Sequence, residues 1–113
     1  MPYIDLNTNI EINDDLVEEI KSKFGELIEI LPGKSEDWLM VKISQNNKMF
    51  FKGSDDPLIM VEVKIYGSAS KNSLDKFTSE MMDYLSSKLK VNKNRIYINY
   101  SFSENWGWNG FNF

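Results

Sequence analysis

The chain has 113 residues, a formal net charge of −4 and a pI near 4.8, with 42% hydrophobic and 27% charged residues. These values predict a single globular domain over residues 1–113, and the acidic balance disfavours nucleic acids and anionic membranes as partners. Because the chain contains no Cys and no His, disulfides, thiolate nucleophiles, Ser-His triads and Cys- or His-ligated metals are excluded.

The first half of the chain predicts two strands separated by a helix. Residues 2–8 alternate apolar and polar side chains, which is typical of a half-buried strand. The helix is capped by Asn13 or Asp14 and ends at Pro32 and Gly33. Its apolar residues share one stripe: Leu16, Val17, Ile20, Phe24, Leu27, Ile28 and Leu31. Residues 37–43 predict a second strand, and residues 49–51 a short edge piece before the turn at 53–56.

The same order of elements returns in the second half. A strand is predicted over residues 57–66 and another over residues 95–100. The helix between them has its own apolar stripe: Leu74, Phe77, Met81, Leu85 and Leu89. Since Pro57 stands where Pro2 stands in the first half, we predict an internal pseudo-repeat of residues 1–56 and 57–113.

Two tandem β-α-β units predict an α/β (α+β) fold in which a four-stranded mixed sheet carries both helices on one face. Residues 58–65 are nearly all apolar, which predicts that the second face of the sheet is also covered. A closed homo-oligomer is the simplest cover, and a fully monomeric protein is the alternative.

Pro2 is the first candidate for chemistry. Without His, a base that acts at pH 7 must be a shifted carboxylate, a shifted Lys or the amino terminus. Removal of Met1, expected before a residue as small as Pro, would leave Pro2 with a secondary amine on a rigid strand. An α-amino group titrates at roughly 7.7 to 8.0, and apolar burial or a nearby cation lowers this pKa further. The alternative is that Pro2 only begins the strand.

Two other features suit a binding site. Lys34, in the turn after the first helix, is suited to bind a substrate carboxylate, although a Lys there also serves the helix dipole. The chain ends in a stretch rich in aromatic residues, which is suited to a pocket wall, a subunit contact or a membrane-interface patch. These residues are Trp106, Trp108, Phe111 and Phe113.

No targeting pattern is visible in the sequence. Residues 1–5 have neither a basic region nor an apolar run of signal-peptide length. No stretch approaches the roughly 20 apolar residues needed to span a bilayer. We therefore expect a soluble, cytoplasmic protein without membrane insertion.

Four segments together resemble the macrophage migration inhibitory factor (MIF) family of the tautomerase superfamily. They are Met1–Asn9, the turn Pro32-Gly33-Lys34, the strand Arg95–Tyr100 and the closing Gly107-Trp108-Asn109. The N-terminal proline alone is a weak signal, but the combination is specific and spans nearly the whole chain.

The resemblance implies a trimer with active sites at subunit interfaces, no cofactor, and keto-enol tautomerase activity on phenylpyruvate-like and dopachrome-like substrates. By this resemblance Pro2 is the general base. Lys34 and the backbone amide of Tyr66 hold the substrate carboxylate, and Tyr97 and Asn99 come from the adjacent subunit. The pocket wall comprises Trp106, Trp108 and Phe113.

The resemblance also leaves a second interpretation open. The chain could be a cytokine-like signalling protein that binds a cell-surface receptor, leaves the cell by a route without a signal peptide and keeps only a vestigial pocket. Trp106 stands where relatives commonly have a smaller Val, and Tyr66 where many have Ile. Both differences predict a pocket of altered shape.

Overall fold

The computed structural model describes all 113 residues and contains both predicted β-α-β units. The first consists of β1 (Pro2–Thr8), α1 (Asp14–Leu27) and β2 (Met40–Ser44), and the second of β3 (Ile59–Tyr66), α2 (Lys71–Leu89) and β4 (Ile96–Ser103). A terminal hairpin of β5 (Gly107–Trp108) and β6 (Phe111–Asn112) follows. The sequence shows that this C-terminal stretch is rich in aromatic residues, but it does not predict the hairpin.

The four long strands form one mixed sheet in the order β2-β1-β3-β4. Within each unit the two strands are parallel, whereas the central pair β1 and β3 is antiparallel. The register places Pro2 opposite Ile65 and Tyr3 opposite Met40. The beginnings of β1 and β2 therefore meet the end of β3 at one end of the sheet, and the predicted fold class is confirmed.

Both helices pack on one face of the sheet because their apolar stripes face it. The side chain of Asn13 caps α1 by accepting a hydrogen bond from the Leu16 amide at 2.8 Å, as the sequence predicted. Ser70 caps α2 in the same way. The core contains completely buried side chains from both layers: Ile20, Phe24, Ile28, Phe77, Met81 and Leu85 from the helical layer, and Ile4, Leu6, Val61, Val63 and Ile65 from the sheet.

The second face of the sheet is more polar than the sequence predicted. Successive side chains of β3 point to opposite faces, so only every second residue belongs to the face without helices. In β3 these residues are Met60, Glu62, Lys64 and Tyr66, and in β1 they are Tyr3, Asp5 and Asn7. The expectation of an apolar second face was wrong, because it counted both sides of one strand together.

Two short segments also differ from their predicted structure. Residues 36–38 form a 3-10 turn, so Asp37 and Trp38 precede β2 rather than begin it. The edge piece predicted at residues 49–51 joins no sheet strand. Instead, Phe51 and Ser54 exchange backbone hydrogen bonds of 2.9 and 3.0 Å across a tight turn.

Thr8 offers a test of this packing, because it is the one buried polar residue of the chain. Its hydroxyl donates to the carbonyl of Leu58 at 2.7 Å and accepts from the amide of Ile10 at 3.3 Å. Thr8→Val leaves both partners unsatisfied and should lower the free energy of unfolding by about 1–3 kcal/mol in urea denaturation. Thr8→Ser, which keeps the hydroxyl, should lose only about 1 kcal/mol for its methyl group. Equal stability of the Val variant and the parent would contradict this role.

Candidate active site

A pocket of about 490 Å³ opens at the end of the sheet where β1 and β2 begin. This volume lies within the range of small-molecule sites. The lining residues are Met1, Pro2, Tyr3, Asp37, Trp38, Leu39, Met40, Trp106, Gly107 and Trp108. The lining is mostly apolar, and Asp37 is its only acidic side chain. Such a pocket suits an aromatic or aliphatic ligand with few polar groups.

Pro2 is held rigidly at this pocket. It is buried, and as the first residue of β1 it lies between β2 and β3. A proline is tolerated there because the first residue of a strand need not donate to the ladder. On its β3 side, the amide of Tyr66 donates to the carbonyl of Met1 at 3.0 Å. The nitrogen of Pro2 is therefore fixed by the sheet itself.

Lys34 lies at the same end of the sheet as Pro2. Its amide donates to the carbonyl of Leu31 at 3.1 Å in the turn after α1, where Gly33 has a φ of 79°. This turn directs the Lys34 ammonium to the end of β3, where it donates to the carbonyl of Tyr66 at 3.0 Å. One ammonium hydrogen is thereby used, and two further donors remain for a ligand.

The surroundings lower the pKa of the amino group at the start of the chain. Burial of the Met1 amine is the larger cause, since it disfavours the charged form, and the positive charge of Lys34 adds to it. The Met1 amine is therefore shifted toward its neutral, basic form.

The three residues predicted to form an aromatic wall lie close together, although Phe113 is not among those that line the pocket. Trp106 and Trp108 line the pocket, and the ring of Phe113 stacks on Trp108 with centroids 6.3 Å apart. Phe113 also lies 5.7 Å from the ring of Tyr66, and its amide donates to the carbonyl of Trp106 at 2.9 Å. The terminal hairpin therefore folds the last residues back over the pocket.

Tyr97 and Asn99 are not part of this pocket. Tyr97 pairs with Met60 and Pro2 with Ile65, so the two residues lie about 16 Å apart along the strand direction, at about 3.3 Å per residue. Both Tyr97 and Asn99 are exposed on β4, which is an edge strand. Within one chain, neither residue can reach a ligand bound at Pro2.

Sequence reasoning missed the wall formed by residues 37–40. Trp38 contacts Trp108 edge to face, with centroids 5.1 Å apart, and thereby closes the pocket opposite the hairpin. The predicted β-α-β unit contained the signal, because parallel strands begin at the same end of a sheet. Assigning Asp37 and Trp38 to the strand obscured their position at its entrance.

The structure contains no group of three acidic side chains placed to hold a metal ion. Neither helix has the length and apolar character required to cross a bilayer.

Comparison with known proteins identifies the family. The family model described as macrophage migration inhibitory factor (MIF) matches residues 1–113. The chain belongs to the MIF family. Curated relatives include the factor of Xenopus tropicalis, 26% identical over all of this chain and 99% of its own length. The homolog of Trichinella spiralis is 28% identical, with both chains fully covered.

A solved structure agrees with this assignment. The crystal structure of Leishmania major MIF2 superimposes with a TM-score of 0.92 at 25% identity, covering 100% of this chain and 97% of that one. The MIF family is part of the tautomerase superfamily, so membership supports an isomerase activity and a cytokine-like role in general terms.

The electrostatic coupling between Lys34 and the first amine of the chain can be measured directly. Lys34→Gln removes the nearby cation and should raise the pKa of the Met1 amine toward its ordinary value, although not fully, because burial remains. NMR titration of a ¹³C-methionine-labelled chain that retains Met1 reports this pKa. Lys48→Gln is the matched control, since Lys48 is exposed near the far end of β1. An unchanged pKa in Lys34→Gln would refute the coupling.

Proposed function

We propose that this protein is a keto-enol tautomerase for phenylpyruvate-like substrates, with dopachrome-like compounds as a second class, and that the amine of Pro2 is its general base. The observation that carries the proposal is the position of Pro2, which is buried at the start of a central strand and lines a mostly apolar pocket. Membership of the MIF family supports it.

Removal of Met1 would create the base. While Met1 is attached, the nitrogen of Pro2 is a tertiary amide without a basic lone pair. After removal it is a secondary amine in the environment that already lowers the pKa of the Met1 amine, namely burial and the charge of Lys34. The same two causes would lower the pKa of the Pro2 amine, and they favour the neutral form that a general base requires.

The same removal would also free a substrate contact. The amide of Tyr66 donates to the carbonyl of Met1, and this acceptor leaves with Met1. The freed N–H would lie beside the Lys34 ammonium, which is bonded to the carbonyl of the same residue. A substrate carboxylate is the anion that suits one N–H and one ammonium together. In this proposal the substrate carboxylate would take the place that the Met1 carbonyl occupies before processing.

The proposed reaction moves one proton from carbon to oxygen and leaves the composition of the substrate unchanged. The neutral amine of Pro2 takes a proton from the carbon next to the substrate carbonyl, and the bonding electrons form the carbon-carbon double bond of the enol. The protonated amine of Pro2 then returns this proton to the carbonyl oxygen, so the ketone becomes its enol and Pro2 is neutral again. Aromatic side chains from the hairpin and from Trp38 would hold the aryl group while this occurs.

A trimer would complete the site. Both outer strands of the sheet, β2 and β4, have an unpaired edge. Large apolar side chains lie exposed on or beside these edges, including Met40 (68%), Tyr97 (59%) and Phe50 (70%). Packing of copies edge to edge would cover them and bring Tyr97 and Asn99 of one copy to the pocket of the next. The oligomeric family supports this arrangement.

Cytokine-like signalling is the second candidate, favoured by the same family membership. In this case the surface binds a cell-surface receptor after release from the cytoplasm by a route without a signal peptide. A chain extended before Pro2 separates the two functions. Signalling that does not depend on the pocket survives the extension, whereas catalysis does not.

Extension of the amino terminus is the direct test of the base. One residue added before Pro2 should lower kcat for phenylpyruvate by about 10²–10⁴-fold, the usual contribution of a well-placed general base. Pro2→Gly, once Met1 is removed, keeps a terminal amine and should retain part of the activity. Intact mass confirms each terminus. Full activity in the extended chain would exclude Pro2 as the base.

The oligomeric state can be measured independently of activity. Light scattering at micromolar concentration should give three times the chain mass of 13.2 kDa. Tyr97→Glu should shift this mass toward the monomer, because a charge at a buried subunit contact is costly. Lys71→Glu, on the exposed surface of α2, is the control and should leave the mass unchanged. A monodisperse parent monomer would contradict the trimer.

A further inference from the structure

Arg95 makes an unusual set of contacts for a residue outside the pocket. It lies at the end of a 3-10 turn, directly before β4. Its guanidinium donates to four backbone carbonyls of one loop: Phe51 at 3.1 Å, Ser54 at 3.1 Å, Asp56 at 2.9 Å and Pro57 at 3.0 Å. Only the planar fork of an arginine can serve so many acceptors at once.

The loop that Arg95 binds contains a tight turn with an uncommon backbone conformation. Lys52 and Gly53 occupy its two central positions with φ values of 54° and 74°. Positive φ at both positions is the geometry of a type I′ turn, and it is uncommon for a residue such as Lys52. The four hydrogen bonds from Arg95 satisfy carbonyls on both sides of this turn. Arg95 therefore fixes the conformation of the loop as a whole.

The constraint extends from the loop to Tyr97. The Arg95 guanidinium lies 5.4 Å from the centroid of the Phe51 ring, and this ring lies 4.8 Å from the ring of Tyr97. Phe51 is thus held between the cation and Tyr97. Because Tyr97 is exposed on an edge strand, Phe51 is the aromatic ring that supports its orientation.

We infer that Arg95 is a positioning residue for the active site of the neighbouring copy, acting through Phe51 on Tyr97. This inference rests on the proposed tautomerase function and on the trimer that completes the site. Arg95 touches no substrate and belongs to the end of the sheet opposite its own Pro2. Its effect must therefore appear in a pocket whose base belongs to another chain.

The first test separates positioning from chemistry. Arg95→Gln should lower kcat/KM for phenylpyruvate about 10- to 100-fold, mainly through KM, because a substrate contact is misplaced. The pH dependence of kcat, set by Pro2, should not move. Arg95→Lys keeps the charge but lacks the planar guanidinium, so it should restore little of the lost kcat/KM. Lys93→Gln is the matched control, since Lys93 lies in the same 3-10 turn and pairs with Asp83.

The second test asks whether Arg95 acts in another chain. Arg95→Gln is co-refolded with a chain extended before Pro2, which has no base but has an intact Tyr97. In mixed trimers some sites combine the base of the first chain with Tyr97 of the second, and these should show the parent KM. Phe51→Leu removes the aromatic ring, leaves Arg95 in place and should behave in the same way. It is the replacement variant if Arg95→Gln does not fold.

Each outcome has a separate meaning. Recovery of the parent KM on mixing supports the inference. If the parent is active but Arg95→Gln has an unchanged KM, the inference is overturned. It is also overturned if mixing does not restore the parent KM. In both cases the proposed function stays intact. A correctly processed parent without tautomerase activity overturns the proposed function, and this inference with it.

Discussion

The site depends on one constraint, which is that the chain begins in the middle of its own sheet. β1 pairs with β3 from Pro2 onward and with β2 from Tyr3 onward. An amino terminus is ordinarily mobile and solvated. Here the sheet sets the position of the amine, and burial together with the charge of Lys34 lowers its pKa. In the proposed mechanism, a terminal amine at this position would have the fixed geometry and lowered pKa that a general base needs.

The second consequence of this arrangement is that Lys34 serves two purposes. Its charge disfavours protonation of the nearby amine, and its free hydrogens are suited to a substrate carboxylate. Binding of that carboxylate would neutralise Lys34 and make the amine more basic as the substrate arrives. The pKa of the Met1 amine is lowered first by burial and second by the charge of Lys34.

Much of the fold and part of the candidate site could be predicted from the sequence, for reasons that differ between residues. The stripes of α1 and α2 and the alternation in β1 predicted the elements, and the family resemblance predicted that Pro2 and Lys34 share one site. Trp38 was missed because its ring and the apolar residues after it favour a strand, although Glu36 and Asp37 are types that strands disfavour. The polar second face was missed because the apolar run in β3 includes both sides of the strand. The link from Arg95 to Tyr97 depends on a turn whose geometry no pattern encodes.

The most direct measurement is a titration of the Pro2 nitrogen in the processed chain. With ¹³C-labelled proline, the ring carbons of Pro2 shift as its amine loses a proton, whereas Pro32 and Pro57 are amides within the chain and serve as internal references. We predict a pKa below the roughly 7.7 to 8.0 of an ordinary α-amino group, because burial and Lys34 both disfavour the charged form. A pKa within or above that range would contradict the proposal that the fold prepares Pro2 as a neutral base.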